Sequence, residues 1–99
     1  MAKGYWIVHV RVDDAEGYKR YVEANAAAFA KYEGRFLVRG GRFEMMAGEI
    51  AGDRHVVIEF KDFDTAVACY RSPEYQHALQ VRGDAAKANV MVVEGYEPA

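Results

Sequence analysis

Residues Gly4 to Val12 alternate with a period of two. Trp6, Val8, Val10 and Val12 fall on one side of an extended chain, and Tyr5, Ile7, His9 and Arg11 on the other. β-Branched and aromatic residues in that rhythm predict a strand. The rhythm then changes: from Glu16 to Tyr32 the large apolar residues Tyr18, Tyr21, Val22, Phe29 and Tyr32 share one face of a helix. Asp13, with Glu16 three residues on, has the spacing of a capping box, and Gly34 is placed to end the helix. Phe36 to Arg39 predicts a second strand, Gly40-Gly41 a bulge in it, and Arg42 to Ala47 its extended continuation. After a turn at Ile50 to Asp53, His55 to Lys61 reads as a third strand. Asp62 or Asp64 caps a helix over 65–71. Ser72-Pro73-Glu74 then starts a second piece over 73–87, since Ser favours the N-cap, Pro the first helical position and Glu the first turn. Asn89 to Tyr96 is the fourth strand, stopped by Pro98. The order β-α-β-β-α-β, with the kinked pair as one helical region, predicts one ferredoxin-like α+β domain over residues 1–99. Its four-stranded antiparallel sheet has the strand order 4-1-3-2, with the helices on one face.

The two faces of that sheet differ. One carries Trp6, Val8, Val10, Val12, Val56, Ile58 and Phe60, with Met91 and Val93 assigned to the same side; it is apolar throughout and suits a covering of helices. The other carries Tyr5, Ile7, His9, Arg11, His55, Val57 and Glu59, with Val90, Val92, Glu94 and Tyr96 assigned to it. That side is too apolar to stand in water and too charged for an ordinary core. A homodimer packed through this sheet face is the expectation, since a two-fold pairing supplies the missing layer. A hydrogen-bonded pair of His9 and Glu59, on neighbouring strands of this side, is one specific expectation; the other is that each side chain reaches the rim and meets water.

Composition narrows the function classes. Ninety-nine residues with 52% hydrophobic and 13% aromatic content exclude a disordered chain. Thirteen basic against 15 acidic residues give a net charge of −2, with no basic cluster, so nucleic acid is not an expected partner. No apolar run is long enough for a membrane span, and no signal pattern opens the chain, so a cytoplasmic location is expected. The single cysteine, Cys69, lies in an apolar stretch and reads as a buried thiol.

Several runs together resemble the domain of unknown function 1330 family: Gly4-Tyr5-Trp6-Ile7, Arg39-Gly40-Gly41, Arg54-His55-Val56-Val57-Ile58-Glu59-Phe60, Ser72-Pro73-Glu74-Tyr75-Gln76 with Arg82, and Val93-Glu94-Gly95. The resemblance runs from about residue 3 to 97. It departs after the third strand, where Phe60-Lys61-Asp62 stands in place of a frequent Phe-Pro-Ser. It implies a dimeric α+β barrel, a superfamily that also holds small monooxygenases, haem-degrading enzymes and lactone isomerases. The family has no assigned reaction, so no catalytic residue carries over.

Candidate chemistry is sparse. His9, His55 and His77 form no metal-ligand motif, and His55 and Glu59 are too far apart along a strand to share an ion; no metal and no cofactor are expected. Gly40-Gly41 lacks the following helix start and Lys-Ser/Thr of a phosphate cradle. A small-molecule cleft is the better expectation: Tyr70, Ser72, Tyr75 and Arg82 gather at the kinked helical region and Arg39 at the bend, a set suited to a small organic acid or aromatic ligand. Two alternatives stand beside it. One is a cofactor-independent monooxygenase- or isomerase-like enzyme, with His9 and Glu59 as acid/base candidates. The other is a protein-interaction module using the open sheet face.

Overall fold

The computed structural model describes residues 2–98. In chain order the elements are β1 (Gly4–Val12), α1 (Ala15–Lys31), β2 (Arg35–Arg39), β3 (Arg54–Phe60), α2 (Phe63–Arg71), α3 (Pro73–Arg82) and β4 (Ala86–Glu94). The four strands form one antiparallel sheet in the order β2-β3-β1-β4, the predicted topology. β1 lies inside the sheet, with Trp6 opposite Ile58 of β3 and Val92 of β4.

The helices cover the face of Trp6, Val8, Val10, Val56, Ile58 and Phe60, all buried. Trp6 organises this core. Its ring meets Phe29, Phe60, Tyr70 and Tyr75 at centroid distances of 5.1, 5.6, 5.6 and 4.9 Å, and its indole N–H donates to the Ala66 carbonyl at 2.8 Å. An apolar body with one satisfied donor is what lets a tryptophan be fully buried. Cys69 lies in the same core, and burial pushes its thiol up to about 12.

Local chemistry explains the element ends. Asp62 accepts from the Thr65 N–H at 2.7 Å and is the cap of α2. Ser72 accepts from the Tyr75 N–H at 3.1 Å to start α3, while its hydroxyl donates to the Cys69 carbonyl at 2.7 Å and seals the end of α2. At α1 the expected capping box at Asp13 does not form. Asp14 holds the cap position without a side-chain bond, Asp13 instead pairs with Arg11, and both Asp13 and Asp14 N–H groups donate to the Ala85 carbonyl. α1 closes as a Schellman motif, with Glu33 N–H on Ala30 and Gly34 N–H on Phe29. The left-handed residue there is Glu33 (φ 55°), not Gly34. Gly34 is small for another reason: a Cβ would sit 3.0 to 3.2 Å from Phe60 and Ile58.

Three further expectations are corrected. The continuation of β2 over 42–47 is absent: Gly40 turns left-handed (φ 68°) and ends the strand, the register shift falls between Phe36 and Val38 rather than at Gly40-Gly41, and 40–53 forms an exposed arm. α3 stops at Arg82, where Gly83 caps it, so β4 runs from Ala86 to Glu94 rather than from 89 to 96. The register of β4 places Val90 and Val92 on the helix side and leaves Met91 and Val93 on the open face, 55% and 39% exposed. Four apolar residues in succession carry no alternation, so only the register could assign their sides.

Candidate functional site

α1 and α3 pack on each other over the sheet, and between them lies a cleft walled by aromatic residues. Its centre is a contact between two hydroxyls: Tyr21 of α1 and Tyr75 of α3 lie 2.6 Å apart, both residues buried. Burial drives the Tyr75 phenol far above its usual range, and the nearby Tyr21 adds to this. Burial also raises Tyr21, against the opposing effects of Tyr75, of Asn25 one turn along α1, and of the Arg82 charge. Both phenols are therefore neutral donors and acceptors at every physiological pH.

Two guanidinium groups flank the pair. Arg82, in the last turn of α3, lies 5.3 Å from the Tyr21 ring centroid, and its Nε is buried with no hydrogen-bond partner. Arg54, at the start of β3, donates from Nε to the Tyr18 hydroxyl at 3.2 Å. Asn25 is buried beside them. The free volume is about 30 Å³, room for roughly one water molecule, so a ring-sized guest requires α3 to move off α1. Aromatic walls with a few converging polar groups are the composition of a small-molecule site. A larger depression of about 630 Å³ is lined by charges of both signs, among them Lys31, Arg35, Lys61, Glu33, Asp62 and Asp64. It is an open groove.

Of the residues singled out from sequence, Tyr75 and Arg82 enter the cleft. Tyr70 lies outside it, beside Val90 and Val92, with its ring 5.1 Å from that of Tyr75. Ser72 is buried, with its hydroxyl engaged in capping on both sides. Arg39 is elsewhere, exposed at the end of β2 with its guanidinium 4.0 Å over the Phe36 ring. Tyr18, Tyr21, Asn25 and Arg54 escaped the sequence reading. One signal was available: Asn25 is a polar residue on the Tyr18-Tyr21-Phe29 face of α1.

The expected His9–Glu59 pair does not form. His9 stands opposite His55, and Glu59 opposite Tyr5, four residues or about 13 Å further along β3. The contacts follow that register: His9 Nδ1 lies 2.8 Å from His55 Nδ1, and the Tyr5 hydroxyl donates to Glu59 at 3.3 Å. Among the described residues, no group of three or more His, Cys, Asp or Glu side chains could hold a metal ion. No helix among them is long and apolar enough to cross a membrane.

A four-stranded antiparallel sheet with all its helices on one side defines a ferredoxin-like α+β protein. The chain belongs to the family described as Domain of unknown function (DUF1330), whose model matches residues 3–96. No curated protein matches the sequence. Among solved structures the chain is similar to the RPA0582 protein of unknown function from Rhodopseudomonas palustris, with 20% identity, a TM-score of 0.74, and coverage of 98% of this chain and 85% of that one. It is also similar to SnoaB, a cofactor-independent oxygenase from Streptomyces nogalater (14% identity, TM-score 0.62, coverage 99% and 97%). A dimeric ferredoxin-like protein of unknown function from Thermobifida fusca gives 18% identity, a TM-score of 0.57 and coverage of 93% and 92%. These likenesses establish the fold.

Proposed function

We propose that this protein is a cytoplasmic homodimer that binds a small phenolic or aromatic acid in the cleft between the sheet and the α1–α3 pair. The observation that carries the ligand reading is the buried Tyr21–Tyr75 hydroxyl pair beside Arg82, whose Nε has no partner within the fold. A buried donor left unpaired costs free energy that a ligand oxygen recovers. Two phenols and a guanidinium suit one guest oxygen pair: the carboxylate takes the Arg82 fork, and the guest hydroxyl joins the tyrosines. The rings of Trp6 and Phe29, which line the cleft, then face its ring.

Dimerisation through the open sheet face has its own support. Ile7, Val57, Met91 and Val93 lie there without a covering layer, and the similar Thermobifida fusca protein is a dimer. The enzymic alternative draws on the likeness to an oxygenase that works without a cofactor. It would place its chemistry at the tyrosine pair, since His9 and Glu59 do not meet.

Trp6 is the one tryptophan and lines the cleft, so its emission reports occupancy directly. Titration with 4-hydroxybenzoate should quench it saturably, with the methyl ester binding at least about tenfold more weakly through loss of the charged partner of Arg82. Arg82→Gln should remove that preference. Unchanged emission across hydroxybenzoates, with the fold intact, would overturn the reading.

A further inference from the structure

His9 and His55 meet on the open face of the sheet through their Nδ1 atoms at 2.8 Å, with ring centroids 5.0 Å apart. The centroid distance is close to the contact length plus the two ring radii, so the two nitrogens point at each other rather than at a common third point. That is the geometry of one N–H···N hydrogen bond, not of a metal chelate. It holds one proton between the rings. The His55 side of the pair is enclosed: Phe43, reaching back from the 40–53 arm, makes a T-shaped contact with His55 at a centroid distance of 4.4 Å, and His55 Nε2 is buried with no partner. The pair thus ties the arm to the sheet at the middle of the face.

Resting on the dimer reading above, we propose that the His9–His55 pair is an acid-sensitive latch, which holds two copies sheet to sheet at neutral pH and releases both the partner and the arm in mildly acidic solution. The first added proton finds its place on the outer nitrogen of His9, because His55 Nε2 is buried. It puts a cation on a surface that dimerisation removes from water. The second proton requires both Nδ1 atoms to be protonated, which forces the rings apart and lifts His55 from Phe43. Charges of both signs stand around the pair. Arg11, two residues along β1, and Lys87, opposite Arg11 on β4, are cations, and Asp13 is occupied by Arg11. Asn89, opposite His9, is neutral. Asp53 precedes β3, and Arg42 and Glu44 flank Phe43 with opposite signs. Desolvation, and then the neighbouring His55, lower the His9 pKa below its ordinary value. In the single chain a base depressed in this way contributes folding stability above the unfolded value, about 6.5, and loses it as pH falls from there toward the folded value, whereas release of the partner follows from the cation placed in the seam.

The test is mass by light scattering and by analytical ultracentrifugation at pH 8 and pH 5, with far-UV circular dichroism to confirm that the fold persists. The wild-type chain should be a dimer at pH 8, with a dissociation constant raised at least about tenfold at pH 5. His9→Gln, which stays neutral, should keep one value at both. A wild-type dimer unaffected by acid overturns the latch and leaves the dimer standing, whereas a monomer at both pH values overturns both. Release of His9→Gln at pH 5 like the wild type also overturns the latch. Should His9→Gln fail to fold, wild-type NMR decides: the Phe43–His55 ring contact must disappear over the same pH interval as the dimer.

Discussion

The hydroxyls of Tyr21 and Tyr75 lie 2.6 Å apart although 54 residues separate them, and neither residue is open to water. This contact ties α3 to α1 and is also the polar centre of the cleft. Removing one hydroxyl leaves the other buried with a lost partner. Tyr75→Phe and Tyr21→Phe should each cost about 1–2 kcal/mol in urea unfolding. The double variant should cost clearly less than the sum, since the two changes remove one shared bond. Strict additivity would show that the hydroxyls are satisfied by something else.

Ser72 was read from the sequence both as the cap of α3 and as a ligand contact; its hydroxyl caps α3 and closes α2. Ser72→Ala should lower stability by about 1 kcal/mol, as loss of an N-cap does, while Ser72→Asn recovers part of it. Binding of 4-hydroxybenzoate by the folded variant should change far less than under Arg82→Gln. An equal loss of affinity in both would return Ser72 to the site.

The end of α1 gives a prediction of opposite sign. Glu33 occupies a left-handed conformation that glycine adopts without strain, whereas Gly34 has Phe60 and Ile58 against the place of a side chain. Glu33→Gly should therefore stabilise the chain by up to about 1 kcal/mol, and Gly34→Ala should destabilise it. Thermal unfolding of the two variants checks the assignment, and the reverse order would refute it.

Cys69 is fully buried, and its thiol is pushed up to about 12 by burial, with the Glu74 charge adding to this. Since the thiolate is the reactive form, a chromogenic disulfide reagent at pH 8 should label the folded protein only at the rate of unfolding. Rapid stoichiometric labelling without loss of structure would contradict this packing.

The topology could be read from the strands because His9, Arg11, His55 and Glu59 mark one side of β1 and β3 as polar, so that Trp6, Val8, Val10, Val56, Ile58 and Phe60 declare the other. Residues 90–93 do not alternate, and the side facing the helices was decided by pairing with β1, a long-range fact. Strand β2 was overextended because Arg42 to Ala47 has an extended pattern without a partner strand to pair with. At the site, Tyr75 and Arg82 were legible from their place on the kinked helical region. Tyr21 and Arg54 were not, because their contribution depends on α1, α3 and β3 converging. The His9–Glu59 pairing failed on register alone: on antiparallel strands a shift of four residues separates two side chains that share a face.

The central claim is that the cleft between sheet and helices receives a phenolic acid. A crystal structure of the protein with 4-hydroxybenzoate tests it most directly. Ligand density is expected between α1 and α3, with its carboxylate on Arg82 and its hydroxyl joined to Tyr21 and Tyr75. Density in the charged groove beside Lys31 and Arg35 instead, with the tyrosine pair closed as in the free chain, would contradict it.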